Sequence, residues 1–512
     1  MTPISFMEDR VVRLRDNRFG DSALAFKRNG DGFVSQDPCS EGLGGQQISK
    51  DARTILKKFG QLSLGDLVDR SKGSLVDLSG THLDDNGRGN LCFFDFKGPD
   101  DDASPFYLET GNLMGVLCFR EKESGKSIQV EILSRFDKEN DNHNFFLNYL
   151  LSKAFNCALG AEEVSAERSS LLDVLLDIVF VRRLGEAAKA GLLRHYREFR
   201  NNDWNFKGSL DLARHIRENV PLMHGIAYRK REIDLDVPVN RMILMAALTV
   251  NRRHPGFFES NSDAADALRQ LRMGVTETHD LRAVLSHRDC REPVRHPFFR
   301  EVWEPLRRIA RMILEDERWT LFHEGAEDEE VSGVVFDGSW LWEEYIATVL
   351  EPIRFRHCVR GESGHFMALR NLNTGRNVGP MIPDFVQQDS GGTIAAIADA
   401  KYKRSSLLRD DRLQMIAYAA VYEAKRVFLV YPPFDGHCER TDSDPDDPDG
   451  TLNNQFAIRT MSRPEPTASD RLILTVAFDP IPQINDFSQF SKQMASCEEK
   501  LTGFLKKMET TP

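Results

Sequence analysis

Three charged side chains stand on two short apolar segments, in positions that buried strands would occupy. Asp384 lies in the run Met381-Ile-Pro-Asp-Phe-Val, and Asp399 and Lys401 close the apolar segment that follows. Side chains two residues apart on a strand share a face. The turn residues Asp389-Ser-Gly-Gly between the segments predict a β-hairpin. Two carboxylates and one amine at the end of a buried hairpin are costly unless they are paired or bind a ligand.

The chemistry of these three groups suits a divalent cation held against a phosphodiester. Hard cations take carboxylate oxygens, and a lysine can orient or polarise the attacking water. The motif D-x-K alone is weak, because Asp95-Phe-Lys97 also matches it. The context favours Asp399-Ala-Lys401, because the run from Thr393 to Ala398 is apolar and partly β-branched and predicts a buried strand, and a hairpin turn precedes it. A surface hairpin with solvated charges is the alternative.

The order P-D, spacer, D-x-K resembles the active site of the PD-(D/E)xK nuclease superfamily, with Asp384, Asp399 and Lys401 at the three signature positions. This resemblance implies a restriction-endonuclease-like α/β domain that hydrolyses phosphodiester bonds. It implies that Asp384 and Asp399 coordinate Mg²⁺, for which Mn²⁺ can substitute, and that the carbonyl of Ala400 adds a ligand. Lys401 would align the attacking water or remove its proton.

A helical period follows the lysine, from Leu407 to Lys425, with one apolar face for the sheet. Gln414 and Tyr418 lie one turn apart on this helix. A helix with Q-x-x-x-Y at this place resembles the RecB-like and McrC-like branches of the superfamily. The resemblance implies that both side chains line the catalytic groove and steady the lysine or the nucleic acid. A packed polar pair on an ordinary amphipathic helix is the alternative.

A second helix is predicted upstream, with Ser339 as its N-cap and acids near its first turn. The McrC-like pattern of an aromatic, Glu, any residue and an aromatic falls on Trp342-Glu-Glu-Tyr345. That resemblance implies that Glu343 completes the metal site, with Glu344 as the second choice. Favourable interaction with the helix dipole would explain either acid equally well.

Length and composition predict a large enzyme without a membrane span. A chain of 512 residues should form two or three domains. No apolar run approaches the roughly 20 residues that a membrane helix needs, and the N-terminus lacks the basic start of an export signal, which predicts a cytoplasmic protein. The eight cysteines are scattered without C-x-x-C, which argues against structural zinc, an iron–sulfur cluster or a disulfide framework.

The formal net charge of −12 is unexpected for a protein that grips DNA. A negative overall field does not steer a chain to a polyanion. We therefore expect a partner to supply much of the nucleic-acid affinity. The sequence has no G-x-x-x-x-G-K-[ST] loop of its own, so any nucleotide dependence would also come from elsewhere.

The pattern of apolar and turn residues along the chain predicts an α+β multidomain fold with three regions. Residues 1–155 alternate strand-like runs with turns, which predicts a β-rich N-terminal module, assigned to partner docking. Helical periods predict a mainly helical middle domain over residues 156–330. Residues 331–512, past the acidic stretch 327–330, would form an independent nuclease domain.

Segments of the first two regions resemble the McrC family of modification-dependent restriction systems. These segments are 110–117, 128–136, 191–200, 206–215 and 236–240. With the nuclease motif, the resemblance covers roughly residues 108–250 and 335–433. Two departures are Lys207-Gly208 in place of arginine-glycine and an N-terminus longer than is usual in the family.

Basic residues of the middle region could neutralise phosphates or contact an acidic partner. They are Arg194, Arg197, Arg200, Lys207, Arg214 and Arg217. Arginines three residues apart would share one helical face. A solvated face paired with nearby acids is the alternative, and the histidines of this region have no metal-like spacing.

Together the residues and resemblances predict a Mg²⁺-dependent DNA endonuclease subunit of a two-component, GTPase-driven restriction system that acts on foreign or modified double-stranded DNA. The resemblance implies an AAA+ GTPase of the McrB type as partner. Two alternatives stay open. One is a stand-alone RecB-like exonuclease or repair nuclease, and the other is a catalytically idle assembly subunit.

Overall fold

The protein is described by a computed structural model. It covers residues 11–30, 32–37, 45–71, 75–78, 91–99, 101, 104–122, 125–137, 144–155, 171–221, 224–254, 256–259, 261–294, 297–314, 331–358, 365–389, 391–403, 409–433, 455–458, 471–478, 484 and 486–510. The predicted acidic stretch 327–330 lies outside these ranges.

The N-terminal part is rich in strands, as its alternating pattern predicts. Its elements are β1 Val11–Arg15, β2 Leu24–Asn29, β3 Gly32–Gln36, β4 Gln47–Ser49, α1 Lys50–Phe59, α2 Leu64–Ser71, β5 Leu75–Asp77, β6 Asp95–Lys97, β7 Phe106–Glu109, β8 Leu113–Arg120, β9 Ser127–Leu133 and α3 Phe145–Ala154. The strands form two five-stranded sheets, in the orders β1-β9-β8-β13-β5 and β4-β3-β2-β7-β6, where β13 comes from much later in the chain (Val331–Asp337).

The middle part combines helices with a small sheet. Its elements are α4 Leu171–Ala190, β10 His195–Asp203, β11 Ser209–Leu210, α5 Leu212–Asn219, β12 Ile226–Asp234, α6 Pro238–Arg253, α7 Gly256–Glu259, α8 Ser262–Gly274, α9 Leu281–Ser286, α10 Arg288–Arg291 and α11 Pro297–Leu314. Strands β10, β12 and β11 form an antiparallel sheet. Helix α6 begins at Pro238, and near its start the buried Asn240 amide donates to the carbonyls of Leu193 and Leu235.

The C-terminal part has mixed α/β structure. Its elements are β13, α12 Gly338–Leu350, β14 Phe355–His357, β15 Phe366–Arg370, β16 Asn377–Met381, β17 Phe385–Gln388, β18 Ile394–Ala400, α13 Arg409–Val421, β19 Arg426–Tyr431, β20 Gln455–Ala457, β21 Leu472–Ala477 and α14 Phe487–Thr510. Six strands form a sheet in the order β14-β17-β18-β19-β21-β20. Helix α13 buries Met415 and Ala419 in a core with Val386, Ile397 and Leu429 of this sheet.

The chain divides into two compact units, not into three consecutive domains. One unit holds residues 1–71, 75–169 and 330–512, and the other holds 72–74 and 170–329. The residue bounds of the second unit nearly match those of the predicted middle domain. The first and last predicted domains share one unit because strand β13 pairs antiparallel with β8 and parallel with β5.

Two glycines allow β8 and β13 to approach closely. Gly115 and Gly333 both have φ in the left-handed range, at +131° and +140°. A Cβ on Gly115 would lie 2.1 Å from the carbonyl oxygen of Val334, and one on Gly333 would lie 2.1 Å from that of Val116. Any side chain at either position would therefore push the two strands apart.

Two local predictions need correction. The cap of α12 is Asp337, not Ser339, because the Asp337 carboxylate accepts the N–H groups of Ser339 and Trp340. The arginines from 194 to 200 are not on a helix, because residues 195–203 form strand β10.

Within the part of the chain that the structure describes, no helix combines the length and apolar character needed to cross a bilayer.

Candidate active site

The predicted hairpin forms and carries the acidic pair. Strands β17 and β18 are antiparallel, and Asp389 closes their turn by accepting the N–H groups of Gly391 and Thr393. Asp384 immediately precedes β17, while Asp399 lies within β18. The N–H of Ala400 donates to Oδ2 of Asp384 at 2.7 Å. This hydrogen bond joins the start of β17 to the end of β18, so both carboxylates lie at the same end of the two strands.

Lys401 is held among acceptors just beyond β18. Its ammonium group forms an ion pair with the buried Asp399 and donates to Oε1 of Gln414 at 3.1 Å. Its Nζ also lies 4.0 Å from Oδ1 of Asp411. The N–H of Lys401 donates to the carbonyl of Val430 on the parallel strand β19. The lysine side chain is 18% exposed, so solvent can reach it.

Helix α13 supplies a chain of hydrogen bonds behind this lysine. Nε2 of Gln414 donates to the Tyr418 hydroxyl at 3.0 Å, and that hydroxyl donates to the carbonyl of Ile382 at 3.0 Å. The chain therefore runs from Lys401 through α13 to the segment that carries Asp384. One end of this chain contacts the motif residue Lys401, and the other contacts Ile382, two residues before Asp384.

Glu343 lies on helix α12, and its carboxylate contacts a histidine side chain. Its Oε1 lies 2.6 Å from Nε2 of His357 on β14. His357 was not predicted from sequence, because a single histidine on a three-residue strand gives no spacing signal. Glu344 is buried on the same helix. The negative charge of Glu343 contributes to raising the pKa of both Asp384 and Asp399.

The electrostatics of the site are those of crowded carboxylates. Burial, together with the negative charges of Asp399 and Glu343, holds the pKa of Asp384 well above its usual range. Burial also raises the pKa of Asp399, although Lys401 opposes that shift. For Lys401 burial alone would lower the pKa, but the ion pair with Asp399 dominates and the pKa is raised. The lysine is therefore charged at neutral pH.

Asp411 is a second site residue that sequence reasoning missed. It lies in the first turn of α13, is buried, and forms an ion pair with Lys403. In the sequence, Asp411 is simply an acid near the N-terminus of a predicted helix, where the helix dipole stabilises negative charge. The structure places it beside both lysines that follow β18, so it competes with Asp399 for Lys401.

The donor set suits a hard cation. Asp384 and Asp399 offer carboxylate oxygens at one sheet edge, and their mutual repulsion is relieved by added positive charge. In the described residues, no three His, Cys, Asp or Glu side chains are already arranged as a metal site. Two carboxylates, a main-chain carbonyl and water would therefore have to share the coordination.

The basic residues of the middle unit do not form one surface. On strand β10, Arg197 and Arg200 are an odd number of residues apart and so lie on opposite faces. Arg197 pairs with Asp234, and Arg200 pairs with Glu198. On α5, Arg214 and Arg217 both pair with Glu218. These pairings favour the alternative of a solvated, paired face, while Arg194 and Lys207 remain exposed.

A family model for the McrBC 5-methylcytosine restriction system component matches residues 108–432. The match includes Asp384, Asp399 and Lys401, nearly all of the second unit, and the parts of the first unit over residues 108–169 and 330–432. A comparison with curated proteins finds no match.

Two solved chains from Thermococcus gammatolerans are similar to this one. The first belongs to the refined half-complex from the tetradecameric assembly of McrB AAA+ hexamers with bound McrC. It is 15% identical, with 95% of this chain and 99% of that chain covered and a TM-score of 0.42. The second belongs to the cryo-EM structure of the McrBC complex, with 14% identity, coverage of 67% and 87%, and a TM-score of 0.29. Because both scores are below 0.5, the family rests on the sequence match.

Proposed function

This chain belongs to the McrBC family, and we propose that it is the Mg²⁺-dependent DNA endonuclease subunit of a two-component restriction system. One observation carries the proposal. Asp384, Asp399 and Lys401 meet at a single sheet edge, joined by the Ala400 N–H and by the Lys401 ion pair. A buried set of this kind is costly to the fold unless it serves binding or catalysis.

In this proposal Asp384 and Asp399 hold the cation, with the carbonyl of Ala400 as a further ligand and Glu343 nearby. Bound Mg²⁺ would supply Lewis-acid activation of the phosphodiester and of a water molecule. Lys401 stays protonated through its ion pair with Asp399 and orients the attacking water. The hydrogen bonds through Gln414 and Tyr418 fix where the ammonium group points.

We further propose that an AAA+ GTPase of the McrB type drives this subunit on double-stranded DNA. Family membership supports this partner, because the family is that of a restriction-system component. The net charge of −12 and the absence of a phosphate-binding loop in the sequence also support it. The recognised site or base modification would then be read by the partner.

The nuclease proposal is tested with Asp399→Asn and Lys401→Ala, assayed for cleavage of duplex DNA with Mg²⁺ and with EDTA. Each variant should lose about 100-fold or more of the cleavage rate, since it removes charge at the reacting centre. Lys425→Ala is the matched control, because Lys425 is exposed beyond α13. Undiminished cutting by Lys401→Ala would refute the assignment.

The partner proposal needs a separate experiment. Cleavage by the purified chain is compared with and without a McrB-type GTPase and GTP. We expect little cutting by the chain alone and strong cutting with both additions. End-dependent degradation by the chain alone, unaffected by the GTPase, would instead support a stand-alone exonuclease.

A further inference from the structure

A ribbon of two strands stands directly before the first catalytic carboxylate. Strands β15 and β16 pair antiparallel, from Phe366 opposite Met381 to Arg370 opposite Asn377, and form a sheet of their own. We call residues 366–381 the β15–β16 ribbon. Only two residues separate its end from Asp384. The base of the ribbon, at Met381, therefore lies next to the site.

The ribbon exposes apolar side chains along both strands. Leu369 is 64% exposed, Leu372 at the turn is 93% exposed, and Phe366, Met367 and Val378 are each about half exposed. Adjacent positions on a strand point to opposite faces, so both faces of the ribbon keep exposed apolar side chains, although Phe366 contacts the Tyr422 ring at the base. An exposed apolar surface beside polar groups is typical of a binding site.

The charge of the ribbon selects an anionic partner. It contains Arg370 and Arg376, which flank the turn and are both exposed, and it contains no aspartate or glutamate. In a chain with net charge −12 this segment is locally positive. A two-stranded ribbon has the width that the major groove of B-DNA admits. Duplex DNA therefore fits both its charge and its shape.

The ribbon is held rigidly at its turn and at its base. In the turn, Oδ1 of Asn371 accepts the N–H groups of Asn373 and Thr374, and Gly375 takes the left-handed conformation with φ of +70°. At the base, the Tyr422 hydroxyl donates to the carbonyl of Met381 at 2.7 Å. A rigid element loses little entropy when it binds.

We propose that the β15–β16 ribbon enters a groove of duplex DNA beside the bond to be cut. Arg370 and Arg376 contact phosphates on the two sides of the groove, and Leu372 packs against sugar and base edges. The proposal deepens the proposed nuclease function and rests on it for the location of the cut. A second copy of this chain is the other possible occupant, and the test includes it as an outcome.

The test measures binding of the full-length chain to a fluorescent 30-base-pair duplex in EDTA, so that no cutting occurs. Salt is varied from 50 to 200 mM. The double variant Arg370→Ala with Arg376→Ala should bind about tenfold more weakly and reduce the slope of log affinity against log salt by about two. Leu372→Ala should weaken binding and leave that slope unchanged, because it removes no charge.

The matched control is Arg272→Ala with Arg282→Ala, which removes two exposed arginines from the other unit. Its binding should match the wild-type chain. Unchanged affinity and slope in the ribbon variant would overturn the proposal. So would loss of self-association in sedimentation without loss of DNA binding, which would assign the ribbon to a second copy. If wild-type protein binds through the ribbon but never cuts, only the nuclease function fails.

Discussion

The hydroxyl of Tyr402 lies 2.7 Å from the hydroxyl of Ser134, so the residue that follows Lys401 is fastened to the end of strand β9. Arg135 adds a hydrogen bond to the Tyr402 carbonyl, and its guanidinium lies 4.9 Å from the centre of the tyrosine ring. The Phe136 ring packs edge-on against the same tyrosine. The N-terminal sheet therefore fixes the backbone position from which Lys401 extends.

We expect Tyr402→Phe to lower kcat for DNA cleavage several-fold with little change in KM for DNA. The substitution removes the hydrogen bond to Ser134 and costs about 1 kcal/mol of stability. Steady-state kinetics at a temperature well below the melting transition measure the effect, with exposed Tyr107→Phe as control. A loss of stability with unchanged kcat would give Tyr402 a structural role only.

Glu343→Gln should weaken Mn²⁺ binding about tenfold, because it removes a negative charge that faces Asp384 and Asp399. Isothermal titration calorimetry on the full chain measures this affinity. Glu344→Gln is the comparison, since it changes the neighbouring acid of the same helix. Unchanged binding by the first variant and weakened binding by the second would transfer the role to Glu344.

Asp384→Asn should raise the melting temperature in EDTA by about 2–4 °C, because it removes a buried negative charge beside two other carboxylates. Added Mg²⁺ should stabilise the wild-type chain more than the variant and so reduce the difference. Differential scanning fluorimetry in both conditions tests this, with exposed Asp410→Asn as control. A variant less stable than wild type in EDTA would contradict the prediction.

The stability of the middle unit should depend on pH through Asp236. Hydrogen bonds from Arg241, despite partial burial, lower the pKa of Asp236 to about 2, and Thr276 donates two more. Because the folded pKa lies below the unfolded value of 3.8, this stabilisation is present above pH 4 and is lost as the pH falls towards 2.

Asp236→Asn should therefore cost about 2 kcal/mol of unfolding free energy at pH 7. The difference from wild type should shrink as the pH is lowered from 5 to 3. Urea unfolding at several pH values measures it. Glu277→Gln, at an exposed acid in the same unit, should show no such trend. A pH-independent difference would mean that the effect is one of packing.

A fragment of residues 331–512 should fail to unfold cooperatively. Its first strand, β13, is buried and pairs on both sides with strands of the N-terminal region, β8 and β5. A fragment of residues 170–329 should show a cooperative transition, because these residues form a compact unit. Thermal melts followed by circular dichroism compare the two. A sharp transition in the first fragment would restore the independent nuclease domain that the sequence predicts.

Local patterns predicted the site because each of its main parts is close in sequence. Strand alternation placed Asp399 and Lys401 on one face, and the turn at 389–392 joined the strands that carry the acidic pair. The helical period likewise placed Gln414 and Tyr418 together. These relationships span few residues, so propensity and period determine them.

The parts that the sequence did not predict depend on distant pairing. Nothing local shows that β13 lies between β8 and β5, since β13 follows both strands by more than 200 residues and any apolar strand could fit. Strand β10 is mostly exposed and polar, and the three-residue spacing of its arginines matches a helical period although the segment forms a strand. The contact between Glu343 and His357 likewise arises only when α12 packs near β14.

The position of β13 also determines how late in synthesis the candidate site can assemble. The N-terminal sheet is complete only after residues 331–337 have been synthesised. Strand β19, whose Val430 carbonyl accepts the N–H of Lys401, is synthesised later still. At a synthesis rate of about 5–20 residues per second, the gap between β9 and β13 lasts roughly 10–40 s. A ribosome-bound or prematurely terminated chain that lacks β19 therefore carries no assembled candidate site.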